Sequence, residues 1–103
     1  MRKGYFGVMF IAASGETYGT LRKKDPELDL ADQVSFEELT AFIKGPLECI
    51  SLGPNKWGYL HEEGKYNALP VNKMATDLFS SVYGEGRDVI VGPVVLIYDG
   101  SFE

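Results

Sequence analysis

The hydrophobic and polar positions of this 103-residue chain form short apolar runs and two amphipathic stretches. The run Tyr5 to Ala12 (YFGVMFIA) is rich in aromatic and β-branched residues and is bounded by glycine and serine, which predicts a strand. Because this run is apolar on both faces, we expect it inside the sheet. A turn at Ser14–Glu16 leads to a short second strand at Thr17 to Arg22, and the polar stretch Lys23 to Gln33 predicts a surface loop.

A capping box predicts that the first helix begins at Ser35. The Ser35 hydroxyl can accept a hydrogen bond from the backbone N–H of Glu38, while the Glu38 carboxylate can reach back to the N–H of Ser35. The helix should end at Gly45–Pro46, because glycine can adopt a positive φ and proline cannot continue a helix. One face of this helix carries four apolar side chains: Phe36, Leu39, Phe42 and Ile43.

The next segment predicts a β-hairpin. Leu47 to Leu52 (LECISL) and Trp57 to His61 (WGYLH) are the two strands, joined by a turn at Gly53–Lys56. In this pairing Cys49 would face a residue near Leu60 or His61.

A second helix follows a tight turn at Glu62–Lys65, in which Gly64 suits a left-handed position. Tyr66 to Ala68 could add a brief strand. Pro70 would then lie in the first helical turn, where a missing N–H is tolerated, and the helix should stop at Tyr83. Its apolar stripe consists of Val71, Met74, Ala75, Leu78, Phe79 and Val82.

The last predicted element is a strand from Asp88 to Tyr98, interrupted by Gly92–Pro93. Proline cannot donate to a ladder, which predicts a bulge or a sheet edge there. The order of elements predicts one α+β domain over residues 1–103. We expect a mixed or antiparallel sheet of about five to six strands with two helices packed on one face.

Composition and cysteine content predict an ordinary soluble domain with 45% hydrophobic and 24% charged residues. The longest apolar run near the start, Val8 to Ala13, is far shorter than a membrane span and lacks the features of a secretory signal. Cys49 is the single cysteine, so there is no internal disulfide, and a reducing compartment is expected. We therefore predict a cytoplasmic protein without a membrane partner.

The net charge of −5 disfavours nucleic acid as a partner, because binding to phosphates needs clustered Lys and Arg. The basic clusters Arg2–Lys3 and Arg22–Lys23–Lys24 lie beside predicted strand ends. We interpret them as solvated surface, with an anion-facing patch as the alternative.

The last third of the chain resembles a known family. The succession EEGK, ALPVNKMATDLF and DVIVGPVVLI is similar to the domain of unknown function 3846, found in phages and in mobile elements of bacteria. Its pattern is matched by Leu69, Pro70, Asn72, Ala75, Thr76 and Gly92. The chain departs from it in a longer start and in the Lys23–Gln33 loop. The resemblance implies a phage or mobile-element setting, and hence the host cytoplasm, but no activity.

No residue pattern predicts catalysis or a metal site. His61 begins HEEGK, which lacks the HExxH spacing of zinc enzymes. A dyad of Cys49 and His61 is conceivable, but a small strand residue is the plainer interpretation of Cys49. The segment Gly84–Arg87 follows a helix, so it is not a phosphate-cradling loop of the P-loop type. We predict a non-enzyme with no catalytic residues, cofactor or metal.

A ligand site is predicted at the start of the second helix. Free N–H groups and the helix dipole there favour an anion, and aromatic rings nearby could stack on a base. The candidate residues are Asn72, Lys73, Trp57, Tyr59, Lys65 and Tyr66. The alternative is that Asn72 caps the helix, Lys73 is solvated, and the aromatics cover the sheet.

Two functions are compatible with these features. The first is a small protein that binds and sequesters a nucleotide-type signalling molecule to counter bacterial defence. The alternative is a protein-interaction module that acts on a host protein without a small ligand, with Tyr98 and Phe102 as anchors. Open sheet edges also suggest a homo-oligomer.

Overall fold

Five antiparallel strands form one sheet in the computed structural model, which describes residues 4–84 and 89–99. The spatial order is β2-β1-β5-β4-β3, so the last strand joins two hairpins at the centre. The predicted α+β class is confirmed, and the sheet is wholly antiparallel in these ranges. The strands are β1 (Tyr5–Ile11), β2 (Thr17–Lys23), β3 (Leu47–Ser51), β4 (Lys56–His61) and β5 (Val94–Tyr98).

Several predicted features fall outside the described residues: Arg2–Lys3, positions 85–88 and Phe102. The brief strand predicted at Tyr66–Ala68 is wrong, because these residues lie in a turn. The hairpin prediction and the interior position of β1 are both confirmed.

Two α-helices, α1 (Phe36–Ile43) and α2 (Lys73–Tyr83), pack on opposite faces of the sheet. The prediction of both helices on one face is therefore wrong. A short 3-10 turn, Leu30–Asp32, lies within the predicted surface loop. Neither helix, nor any other in the described ranges, is long and apolar enough to cross a membrane.

The reason for the two covered faces lies in β5, whose residues 94–97 are all apolar and buried. Alternate residues of a strand point to opposite faces, so such a run needs a layer on each side. Val95 and Ile97 pack with Leu39 and Ile43 of α1. Val94 and Leu96 pack in a second cluster with Ala75 of α2.

The start of α1 confirms half of the capping box. The Ser35 hydroxyl accepts a hydrogen bond from the Glu38 N–H at 3.2 Å. The Glu38 carboxylate does not return to Ser35 but binds the guanidinium of Arg22 in a bidentate pair. A charge-assisted bidentate pair is stronger than a bond to one neutral N–H, which explains the difference.

The end of α1 differs from the prediction by one residue. Lys44, not Gly45, adopts the left-handed conformation, with φ 62° and ψ 43°. Gly45 instead leaves room for His61, since a Cβ there would lie only 2.0 Å from Nε2 and the imidazole would have to move.

The helix α2 begins at Lys73 with Asn72 as its N-cap, so Pro70 is not in its first turn. Pro70 and Val71 instead run beside the segment before β5. The Pro70 carbonyl accepts from the Gly92 N–H at 2.7 Å, and Val71 forms an isolated bridge with Val91. These extended contacts exclude a helical backbone at Pro70.

The Gly92–Pro93 interruption is a kink ahead of a central strand, and not a sheet edge. Gly92 has φ 77°, and β5 begins only at Val94. Pro93 thus precedes the ladder, where its missing N–H removes no strand pairing.

Substituting Asn72 with alanine should strongly destabilise the fold. The side chain caps α2 and donates to two buried backbone carbonyls, those of Ile11 and Gly92. We expect the free energy of unfolding to fall by about 3–5 kcal/mol, the sum of a lost cap and two unsatisfied buried groups.

Urea denaturation would measure this loss, with Lys73→Ala as the matched control. The Lys73 side chain is exposed and pairs only at the surface with Asp77, so its loss should cost less than about 0.5 kcal/mol. A loss below about 1 kcal/mol for Asn72→Ala would contradict the structural role of the amide.

Candidate functional site

The six predicted ligand residues do not converge on one site. Trp57 pairs with Ile97 and Tyr59 pairs with Val95, which places both aromatic residues on the α1 face of the sheet. The start of α2, with Asn72, lies on the other face. The sheet itself therefore separates the stacking residues from the predicted anion-binding helix end.

Asn72 is fully buried and its hydrogen-bonding groups are directed to protein. Its Oδ1 accepts from the Ala75 N–H at 3.1 Å, and its Nδ2 donates to Ile11 O at 3.1 Å and to Gly92 O at 2.9 Å. These three bonds use the amide group for capping and bridging. The alternative reading of Asn72, as a helix cap, is the one that the structure shows.

The remaining predicted residues are dispersed. Lys73 is exposed and forms an i,i+4 pair with Asp77 at 3.2 Å. Tyr66 is 89% exposed in the turn before α2.

The Tyr59 hydroxyl donates a hydrogen bond to Ala31 O at 2.6 Å. Desolvation together with Cys49 raises the pKa of Tyr59 to about 12. Tyr59 thus acts as a neutral structural donor.

Cys49 pairs with Tyr59, so the expected partner near Leu60 or His61 is wrong by one or two positions. Although Cys49 is exposed at the sheet edge, partial desolvation raises the pKa of its thiol. A raised pKa lowers the thiolate fraction, the opposite of nucleophile activation. The Nδ1 of His61 is engaged as well, accepting from the Glu63 N–H at 3.0 Å.

One predicted residue, Lys65, lines a cavity of about 360 Å³ on the α2 face. The cavity lies between the β3–β4 hairpin and residues 89–91, and Phe79 of α2 contributes to its wall. Two carboxylate residues, Glu48 and Glu62, line it too. Its lining therefore carries more negative than positive residues.

A groove on the α1 face, beside β2, was not predicted from the sequence. It has a volume of about 540 Å³, and we call it the β2–α1 groove. The walls and floor are formed by Phe10 of β1, by Tyr18, Thr20 and Arg22 of β2, and by Glu38, Ala41 and Phe42 of α1.

The position of α1 explains why this groove is open. The helix lies over β3, β4 and β5 and reaches β2 through the Arg22–Glu38 ion pair, so it covers β2 only in part on this face. Its 8 residues make a rod of about 12 Å, whereas five strands span about 19 Å. The short length predicted for the first helix is the one sequence signal for this groove. Locating the groove also requires the strand order, which the sequence pattern does not predict.

Aromatic side chains define the apolar part of the groove. The rings of Phe10 and Phe42 meet edge-on with centroids 5.2 Å apart, and Tyr18 lies 6.3 Å from Phe10. Tyr18 is 66% exposed. Offset and edge-on ring pairs of this kind hold aromatic surfaces in a fixed geometry.

An ion pair closes one side of the groove. Arg22 donates through Nη1 to Glu38 Oε2 at 2.8 Å and through Nη2 to Glu38 Oε1, and its Nε donates to Thr20 Oγ1 at 3.1 Å. The hydrogen bond to Arg22 lowers the pKa of Glu38, and the same bond raises the pKa of Arg22. Both shifts favour the charged pair, which joins β2 to α1.

The outer side of β2 presents its backbone to the surroundings. In the described chain β2 pairs with β1 alone. The bonds from Ala12 N to Glu16 O and from Lys24 N to Gly4 O bracket this ladder. Because hydrogen-bonded pairs alternate along an antiparallel ladder, the N–H and C=O groups of four residues point away from β1: Thr17, Gly19, Leu21 and Lys23.

The opposite edge, formed by β3, is partly covered. The hydroxyl of Tyr83, at the end of α2, donates to the Ser51 carbonyl at 2.5 Å. A side chain at this position obstructs a further strand, a common way to protect an edge. The β2 edge is thus the more accessible of the two.

The chain belongs to the family described as Domain of unknown function (DUF3846), whose model matches residues 20–102. This confirms the resemblance drawn from the sequence. No curated protein matches the chain. No solved structure matches it either.

The residues that carry the family resemblance meet at one structural joint. A Cβ on Gly92 would lie 2.8 Å from Cδ1 of Leu69, so these two residues are in close contact. The Thr76 hydroxyl accepts from the Ile90 N–H at 2.9 Å, and Pro70 O accepts from Gly92 N. The motif therefore fixes α2 to the segment before β5, and the groove lies elsewhere.

Replacing Glu38 with glutamine should remove a pH-dependent contribution to stability. A lowered folded-state pKa stabilises the fold above the unfolded pKa, and this contribution is lost as the pH falls through the folded pKa. The pair is partly exposed, so we expect Glu38→Gln to cost up to about 1 kcal/mol at pH 7.

Urea unfolding from pH 7 to pH 2 would measure this effect, with Glu37→Gln as the control in the same helical turn. The free energies of unfolding of the wild type and Glu38→Gln should converge in acid and in high salt, where the ion pair is lost or screened. A constant difference between Glu38→Gln and the wild type across this range would show that the carboxylate charge is not responsible.

Proposed function

We propose that this protein is a non-catalytic protein-interaction module that docks a partner protein through the β2–α1 groove. The observation that carries the proposal is an open aromatic groove beside a sheet edge, with Phe10 and Phe42 as its apolar floor and wall. A partner would insert an aromatic or aliphatic side chain there, since aromatic surfaces held in a fixed geometry are typical anchors of interfaces.

Charge complements this apolar surface. Arg22 and Glu38 neutralise each other at the side of the groove, so a docking side chain need not leave a single buried charge unpaired. The family resemblance implies a phage or mobile element as the source. In that setting the partner is a host protein in the host cytoplasm.

Filling the groove should abolish partner binding. Ala41 is an exposed α1 residue that lines the groove, so Ala41→Arg places a long charged side chain in it without disturbing the core. The measurement is affinity capture from bacterial lysate with quantitative mass spectrometry. We expect one host protein to be enriched by the wild type and reduced at least tenfold by Ala41→Arg.

Ser81→Arg is the matched control, because Ser81 is an exposed position on α2, away from the groove. The control should retain the partner. A partner that binds all three proteins equally, or no enriched protein at all, would reject the groove as the docking site.

The second candidate function is sequestration of a nucleotide-type signalling molecule. The cavity of about 360 Å³ beside Lys65 supports it, since Phe79 offers a ring for a base and Lys65 a cation for a phosphate. The residues Glu48 and Glu62 in the same lining disfavour an anion. This is why the interaction module takes precedence.

Nucleotide binding is tested by denaturing the purified protein and searching for a released nucleotide by mass spectrometry. Calorimetry with cyclic di- and trinucleotides and ADP-ribose derivatives would follow. Lys65→Glu should weaken binding at least tenfold, whereas Lys73→Glu, outside the cavity, should not. No released nucleotide and no heat with the panel would eliminate this candidate.

A further inference from the structure

The β2 edge has the geometry of a self-complementary interface. All seven residues of β2, Thr17–Lys23, pair with β1 on one side, and alternate backbone groups point outward on the other. Two copies related by a two-fold axis can pair their β2 strands antiparallel. Full overlap of the seven residues occurs in one register, with Thr20 facing Thr20 of the second copy.

We infer that two copies of this chain join through their β2 strands in this register, forming one continuous ten-stranded sheet. The outward N–H and C=O groups of both strands would then supply as many as about eight hydrogen bonds. A contact of this kind about a two-fold axis is isologous and closed, and two-fold symmetry is the most common symmetry of homo-oligomers.

The side chains on the α2 face of this register fit one another. Leu21, which is 50% exposed, falls opposite Gly19 of the second copy. The space above Gly19 is open, because an added Cβ there would meet nothing nearer than a carbonyl oxygen at 3.8 Å. A leucine over a glycine on the neighbouring strand would cover exposed apolar surface without a clash.

The side chains on the α1 face also form favourable cross-strand pairs in this register. Tyr18 falls opposite Arg22 of the second copy, and the two Thr20 residues face each other at the axis. Threonine pairs and aromatic residues beside a guanidinium are favourable cross-strand neighbours. Beyond the strand ends Glu16 falls opposite Lys24 of the second copy, and the register opposes no like charges.

The dimer would also change the β2–α1 groove. Both grooves would lie on the same side of the joined sheet, with the two β2 strands between them and an α1 helix on each flank. Tyr18 and Arg22 line each groove. Because Tyr18 of one copy would face Arg22 of the other across the axis, each copy would complete the groove of the other. A docked partner would then meet two apolar sites at once.

Cysteine trapping tests the register directly. Thr20→Cys, in a Cys49→Ser background, places two thiols across a non-hydrogen-bonded pair, where the Cα atoms are about 4.5 Å apart and a disulfide can form. Thr17→Cys is the matched control on the same strand. In the proposed register the Cα atoms of position 17 in the two copies would be about 20 Å apart, too far for a bridge.

The expected result under mild oxidation is a covalent dimer with Thr20→Cys and none with Thr17→Cys. A dimer with Thr17→Cys, equal trapping at both positions, or no trapping at Thr20→Cys would overturn the inference.

Sedimentation tests the same contact without introduced cysteines. The wild type should sediment as a dimer of the 11.4 kDa chain. Leu21→Pro should sediment as a monomer and stay folded, because the Leu21 N–H points outward and proline therefore removes no bond to β1. A monomeric wild type at tens of micromolar would also overturn the inference.

This inference does not rest on the groove's partner, and the two proposals fail separately. Ala41→Arg lies on α1, away from the β2 backbone, and should remain dimeric. If Ala41→Arg loses capture and is still dimeric, this result supports docking in the groove. A monomeric wild type overturns the dimer but does not change the result expected for capture.

Discussion

The buried amide of Asn72 is the interaction on which the arrangement of this domain depends. One side chain caps α2, holds the carbonyl at the end of β1, and holds the carbonyl of Gly92 at the kink before β5. Helix, sheet and kink thus share one fully buried polar group. In a low-dielectric core such a network stabilises one geometry, because any displacement leaves a buried donor or acceptor without a partner.

The contacts around Asn72 also give a structural role to the residues that carry the family resemblance. Leu69, Pro70 and Thr76 all contact the segment that leads into β5. This segment delivers an all-apolar strand between two hairpins, and that strand requires cover on both faces. The motif therefore specifies how the chain is assembled, while the surfaces open to partners arise from β2 and α1.

Those surfaces follow from a mismatch in size. A helix of two turns covers part of a five-stranded sheet, and the part that it leaves exposed is the β2 end of the α1 face. The other sheet edge is obstructed by Tyr83. In the described residues the groove and the accessible β2 edge consequently lie side by side, an arrangement that suits both the docking of a partner protein and the pairing of two copies.

Signals within the sequence are enough to predict most of the local elements and the family. Periodicity and capping residues predicted both helices and the hairpin, because these signals depend on neighbours within a few residues. The sequence also offered two readings of Asn72, as a ligand-reading amide and as a cap. The fold favours the cap, because the burial of Asn72 and its partners Ile11 and Gly92 depend on contacts between residues distant along the chain.

The same limit applies to the sides of the sheet. Local patterns fix which residues of Trp57–His61 share a face, but not which helix covers that face, since this depends on where β5 inserts. For this reason the prediction that Trp57 and Tyr59 lie beside the start of α2 is wrong, and both lie on the α1 face. The β2–α1 groove could not be predicted for the same reason. Locating it requires both the strand order and the position of α1, and each of these depends on long-range packing around a central strand.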